Sequence, residues 1–319
     1  MLDDKLKALW ARISPPQKAA FFGCFLSGYL VHLYVFTNII PNSDGLSRIF
    51  DPQQMTVSGR WFLHFASYFN GFTQMPAVIG LFSVLFLALA AALAVSLLGI
   101  RSRALSALSG ALMAAFPAVG YTFLYLFTAS AYCFAIFLAV LSVSLARRGR
   151  WHWLAGCLLL ACSMGTYQAY VTVAIGLSLL VIFRETLDPS ASFSATLRLG
   201  VRLMLFLAAG AVLYYGILLV FLQVKDLELL SYLGMDAASS GYPFSRLPGL
   251  LLDTYKQVAA FFFLPGSANT FTSGWMAVLD LAALALGGGC FLLCMGQEGL
   301  WRARWRPLGG LAMLALLPL

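Results

Sequence analysis

A succession of apolar blocks, each about 20 residues long and separated by short polar stretches, constrains this chain more than any other feature. A helix of that length crosses the hydrocarbon core of a bilayer. No water is present there to satisfy backbone N–H and C=O groups, so a spanning segment must hydrogen-bond within itself. An aqueous fold could not cover this much apolar surface: 61% of the residues are hydrophobic and 10% charged, against about 25% charged in a soluble domain. The sequence therefore predicts an all-α, polytopic transmembrane bundle of about eight or nine spans, forming a single domain over residues 1–319.

The spans are expected at Ala19–Ile40, Met75–Leu98, Leu105–Phe127, Thr128–Ala146, Trp151–Ser163, Thr166–Phe183, Leu203–Val224 and Trp275–Met295, with a ninth starting near Leu308. Trp151–Phe183 reads as a hairpin broken near Ser163-Met164-Gly165. The N-terminus does not read as a cleavable signal, since Asp3, Asp4 and Pro15-Pro16 precede the first apolar block and no small-residue cleavage site follows it. The first span is expected to be retained. The final run, Leu308–Leu319, is too short to cross, and reads either as a truncated frame or as a segment packing partway in.

Alternating connections divide the basic residues unevenly. One side takes fifteen Lys and Arg, including Arg101, Arg103, Arg147, Arg148, Arg150, Arg202 and Arg306; the other takes five: Arg48, Arg60, Lys225, Arg246 and Lys256. Basic loops stay cytoplasmic, which puts the N-terminus inside and turns the loops at 41–74 and 225–274 outward. The acids Asp44, Asp51, Asp226, Glu228, Asp236, Asp253 and Asp280 lie on or near that outer side. Carboxylate chemistry belongs there, and the inner basic loops need no role beyond topology. All six cysteines fall inside the expected spans, and Cys290 and Cys294 have no His or carboxylate at matching spacing, so neither a disulfide framework nor a zinc site is expected. His32, inside the first span, reads as a neutral histidine bonded to a neighbouring helix.

The first outer loop carries the most informative pattern. Pro41-Asn42-Ser43-Asp44-Gly45 makes a turn that seats Asp44 just beyond the first span, followed by Arg48, Asp51 and Ser58-Gly59-Arg60-Trp61. Arg60, His64 and Ser67 share one face of a helical segment whose other face carries Trp61, Phe62, Phe65 and Phe69, which predicts a helix lying in the membrane interface. A carboxylate and cations on one membrane surface suit a reaction between a lipid-phosphate donor and a polar acceptor: the carboxylate takes a hydroxyl proton and the cations hold the phosphate. The same residues also fit a turn cap at Asp44 and an Arg60 that snorkels to lipid headgroups. The second outer loop, with Asp236, Tyr242, Arg246 and Asp253, is the larger candidate for acceptor recognition.

Three stretches, Asn42-Ser43-Asp44, Ser58-Gly59-Arg60-Trp61 and Gly165-Thr166-Tyr167-Gln168-Ala169-Tyr170, resemble the phage-type serotype-converting O-antigen glucosyltransferases. The layout is similar to the polytopic, lipid-donor glycosyltransferases of the GT-C class. The resemblance implies a hexosyltransferase that takes a sugar, glucose in this family, from a polyprenyl-phosphate donor. The acceptor would be a surface polysaccharide, and transfer would occur on the outer face of the bacterial inner membrane. It makes Asp44 the general base, Arg60 the donor-phosphate cation aided by Arg48, His64 or Lys225, and Asp51, Trp61, Tyr167 and Gln168 substrate contacts. The wider class often shows two adjacent acids where this chain has Ser43-Asp44, so either Asp44 acts alone or Asp51 is its partner; the departure weighs against a bound divalent metal, and no cofactor is expected.

Two rivals remain at this level. A lipid or sugar transporter or flippase would need polar or broken helices near the bilayer midplane, and the predicted spans carry almost no deep charge. A scaffold without chemistry would fit the same hydropathy.

Overall fold

The structure, a computed structural model, describes residues 2–40, 43–47, 53–71, 75–230, 244–265, 273–297 and 299–318. Among them every regular element is helical, apart from a single antiparallel bridge between Met55 and Arg60. The helices are α1 Leu2–Arg12, α2 Pro15–Thr37, α3 Ser43–Ser47, α4 Leu63–Ala66, α5 Pro76–Leu98, α6 Arg103–Ala115, α7 Pro117–Leu124, α8 Leu126–Ala146, α9 Arg150–Thr166, α10 Val171–Leu187, α11 Phe193–Lys225, α12 Leu247–Phe263, α13 Gly274–Gln297 and α14 Trp305–Leu316.

Each expected span falls on a helix. By length and composition six helices are able to cross a membrane, or seven when α6 and α7, bent by 41° at Phe116-Pro117, count as one. The seven are fewer than the spans expected because α9 has only 17 residues and α14 only 12, short of the roughly 20 a full crossing takes. The chain is a multi-pass membrane protein.

Contacts divide it into two compact units: Met1–Ser178 with Val201–Tyr232, and Leu179–Gly200 with Leu233–Leu319. In the first unit α2 packs against α5 and α6, and α8 against α5 and α9. The α2 start is set by Ser14 and Gln17, which form a capping box ahead of Pro15-Pro16: the Ser14 N–H donates to Gln17 Oε1 at 2.9 Å. The α2–α6 approach depends on small residues. A Cβ on Gly23 would meet the backbone of Ala107, and one on Gly110 the backbone of Ala20. Where Pro117 breaks the helical ladder, His32 Nε2 lies 2.9 Å from the Ala114 carbonyl, which only accepts, so Nε2 is the donor. This is the bond to a neighbouring helix expected from the sequence. At the other end of the bundle Arg202 donates to the carbonyls of Ala146, at 2.8 Å, and Arg148, closing the last turn of α8.

In the second unit Phe183 stacks on Phe291 at 5.7 Å, beside Met295 and Leu300. Arg306 reads from sequence as a topological charge only, but it is buried. Its Nη1 donates to the Thr186 and Asp188 carbonyls (3.1 and 2.6 Å) and its Nη2 to those of Pro189 and Ala191 (3.1 and 2.6 Å). The guanidinium thus holds the turn between α10 and α11. In that turn the Asp188 carboxyl is kept below its usual range by the Ser190 hydroxyl and N–H.

Two expectations change in detail. The interfacial helix after Arg60 is two single turns, α4 and a 3₁₀ turn Ser67–Asn70, with Leu63, Ala66, Ser67 and Asn70 buried. Burial there wins over the amphipathic pattern, since the Asn70 amide donates to the Phe127 carbonyl at 2.6 Å and Leu63 packs with Ala66 and Ala131. The segment 225–274, expected as a polar loop, contains α12, whose apolar run is interrupted only by Asp253, Thr254, Lys256 and Gln257 among its central positions.

Candidate active site

The site is built around one tight turn. Met55 accepts from the N–H groups of Ser58 and Arg60, both at 3.1 Å, and the corner is Gly59 at φ 78°, a left-handed position that a side chain would strain. This turn is fixed from two other elements. The Gln168 amide donates to the Ser58 carbonyl at 2.7 Å and to Tyr214 Oη at 3.1 Å, while Tyr214 Oη donates to the Gly59 carbonyl at 3.1 Å. Beyond the turn the Phe62 N–H donates to the Gly165 carbonyl at 2.7 Å, and Trp61 stacks on Phe221 at 5.7 Å. The Trp61 indole covers Gly165 so closely that a Cβ there would sit 2.6 Å from Trp61 Cε2. Two of the motifs read from the sequence, Ser58–Trp61 and Gly165–Tyr170, are therefore one interlocked structure.

That structure aims Arg60 into a cavity of about 700 Å³, lined by Asp44 of α3, by Gln54, Val57, Ser58 and Arg60 of the loop, and by Tyr121, Thr122, Tyr125, Thr128, Tyr132, Tyr167 and Tyr170 from α7, α8 and the α9–α10 junction. Arg60 is half-buried against aromatics. Its Nη1 donates to Tyr132 Oη at 3.3 Å, its guanidinium carbon lies 4.6 Å from the Tyr167 ring centre, and its Nε is buried with no acceptor. Tyr132, Tyr167 and Tyr170 touch one another at 5.4–5.9 Å between centroids, forming a continuous wall. A cation fixed on aromatic faces at the edge of a polar, aromatic-walled hollow can hold an anionic group, while the rings and hydroxyls present stacking faces and hydrogen-bond partners to a sugar.

The residues expected from sequence divide as follows. Asp44, Arg60 and Tyr167 line the one cavity, and Asp44 is the acid among its lining residues. Gln168 sits behind it, bonded to the Arg60 turn, and Trp61 is buried beneath. His64 packs its ring against Phe65 and Tyr68, and Lys225 is exposed beside Phe221 at 5.6 Å; neither lines the cavity. Arg48 and Asp51 lie outside the described residues, as do Asp236 and Tyr242 of the second loop. Among the described residues no cluster of three or more His, Cys, Asp or Glu could hold a metal.

Sequence reasoning missed the wall formed by Tyr121, Tyr125, Thr128 and Tyr132. Their spacing at i, i+4, i+7 and i+11 is a polar-aromatic stripe on one helical face of an otherwise apolar block, and that stripe was the available signal.

Fold and site together define a polytopic membrane protein with a tyrosine-walled cavity at one end of its helix bundle, holding an arginine and a carboxylate. A family described as Glucosyl transferase GtrII matches residues 33–296, most of the chain, and the protein belongs to that family. It is a membrane glycosyltransferase. Neither a curated protein nor a solved structure matches it.

Proposed function

We propose that the protein moves glucose from a polyprenyl-phosphate donor to an O-antigen-like surface polysaccharide, at the outer face of the bacterial inner membrane, with its N-terminus cytoplasmic. The observation that carries this reading is that Asp44 and Arg60 line one cavity together with Tyr167. Asp44 takes the proton of an acceptor hydroxyl. The freed oxygen attacks the anomeric carbon from the face opposite the phosphate and forms the new C–O bond. The bond from the anomeric carbon to the phosphate oxygen breaks, and its electron pair leaves with polyprenyl phosphate. Attack from the opposite face inverts the anomeric centre. Arg60, half-buried against Tyr132 and Tyr167, stabilises the charge that gathers on the departing phosphate, as a cation already held in place can.

The orientation rests on charge placement. The cavity lies at the end of the bundle away from Arg101, Arg103, Arg147, Arg148 and Arg150, and basic connections mark the cytoplasmic side. A GT-C layout, which the sequence resembles, would keep the donor's lipid tail in the bilayer while its sugar is presented at the surface. The test is reconstitution of the purified protein in nanodiscs with polyprenyl-phosphate glucose and a polysaccharide acceptor. Release of polyprenyl phosphate that requires acceptor supports the reading. Movement of intact donor across a vesicle membrane with no release would instead identify a transporter.

A further inference from the structure

The donor-phosphate cation of the proposed reaction is placed by residues that do not line the cavity. We infer that Gln168 and Tyr214 are positioning residues for Arg60: they hold the carbonyls of Ser58 and Gly59 and so fix the turn that delivers the guanidinium. The inference rests on the reading of Arg60 as the phosphate-binding group.

The geometry is a closed triangle of hydrogen bonds. The Gln168 amide nitrogen reaches both the Ser58 carbonyl (2.7 Å) and Tyr214 Oη (3.1 Å), and Tyr214 Oη reaches the Gly59 carbonyl (3.1 Å). Both carbonyls immediately precede Arg60 in the chain. The three corners come from separate elements: the first loop, the α9–α10 junction and the middle of α11. The turn's own bonds, with Gly59 in the left-handed region, fix its shape but not its place in the bundle. A six-residue turn, Met55 to Arg60, is free to pivot unless its carbonyls are tied to something rigid. Tyr214 is 7% exposed and lies on a helix of 33 residues, which makes it such an anchor. The amide nitrogen uses both of its N–H donors on this network, so Gln168 contributes a fixed position and keeps neither donor for a substrate.

Arg60 needs this support. An arginine has several rotatable bonds, and its phosphate-binding strength depends on how little freedom is left to lose on binding. Tyr132 and Tyr167 hold the guanidinium end, while Gln168 and Tyr214 hold the backbone end. Disturbing either end should weaken donor binding with no change to the acceptor site.

The test is equilibrium binding of polyprenyl-phosphate glucose to the full-length protein in nanodiscs, for wild type, Tyr214→Phe, Gln168→Glu and Arg60→Ala, with each single change repeated on the Arg60→Ala background. Tyr214→Phe keeps the buried ring and removes only the hydroxyl. Gln168→Glu keeps the size and removes both donors. Each should weaken donor binding about tenfold, the effect of stranding one buried carbonyl, with the acceptor KM unchanged. On the Arg60→Ala background each should add less than about twofold, because residues acting through Arg60 have nothing left to act on. Unchanged donor affinity in both variants overturns the inference, as does a full tenfold loss that persists without Arg60. If Arg60→Ala itself binds donor as wild type does, the phosphate assignment fails instead. A variant that does not fold is read through the other, since the two changes remove opposite ends of the same network.

Discussion

The guanidinium carbon of Arg60 lies over the ring of Tyr167, 4.6 Å from its centre, and the same Tyr167 ring stacks on Tyr132, whose hydroxyl accepts from Arg60. A cation, two rings and a hydroxyl thus form one rigid assembly at the cavity edge. Tyr167 comes from the helix break after Thr166, where the backbone opens to φ −159° and ψ 122° and turns the side chain off the α9 axis.

Tyr167→Ala should weaken binding of polyprenyl-phosphate glucose by about 2- to 30-fold, the range expected from losing a cation–π contact worth about 0.5–2 kcal/mol. Tyr167→Phe, which keeps the ring face, should bind within about twofold of wild type. Titration of labelled donor into nanodiscs measures both. Equal losses for the two changes would place the contribution in the hydroxyl and not in the ring.

Gly165→Ala should destabilise the protein by about 1–3 kcal/mol, the usual cost of forcing a methyl into a filled space. The added Cβ would come within 2.6 Å of Trp61 Cε2 and 3.0 Å of Phe62 Cβ, and Trp61 cannot withdraw because Phe221 backs it. A thermal-unfolding scan should show a lower midpoint and, since the Phe62 N–H bonds Gly165, a weaker donor complex as well. An unchanged midpoint would mean that the indole has room to move.

Arg306→Met should loosen the turn between α10 and α11, because the carbonyls of Thr186, Asp188, Pro189 and Ala191 lose their donor. The cost should be about 2–4 kcal/mol, given about 1–3 kcal/mol for a single stranded buried carbonyl. Arg306→Lys should not restore it, since an ammonium cannot reproduce the planar fork that reaches all four acceptors. Limited proteolysis between residues 188 and 191 is the readout, and cleavage at the wild-type rate in both variants would contradict it.

Much of this architecture was legible in the sequence because burial in lipid is an average property: about 20 apolar residues specify a span whatever its neighbours do. Side-chain placement is not an average, and there the sequence reading was thinner. Ser58–Trp61 and Gly165–Tyr170 stood out as polar, turn-forming stretches, yet their bonding to one another through Gln168 has no local signature at a separation of 110 residues. The stripe from Tyr121 to Tyr132 sat inside an apolar block and read as ordinary span. Pro117 breaks that block, and the cavity takes Tyr121 and Thr122 from α7 and Thr128 and Tyr132 from α8. Helix α12 was hidden because Asp253 and Lys256 interrupt its apolar run, and they form their own ion pair at 3.3 Å. Arg306 resembled every other basic loop residue, and only the fold distinguishes a buried arginine from an exposed one.

The central claim is that Asp44 is the base of a sugar transfer for which Arg60 holds the donor. Single-turnover transfer from polyprenyl-phosphate glucose, measured side by side with donor binding for Asp44→Asn, tests it most directly. The transfer rate should be at least about a hundredfold lower, as for loss of a general base, with donor affinity within about twofold of wild type. Transfer at the wild-type rate by the Asp44→Asn protein would contradict it.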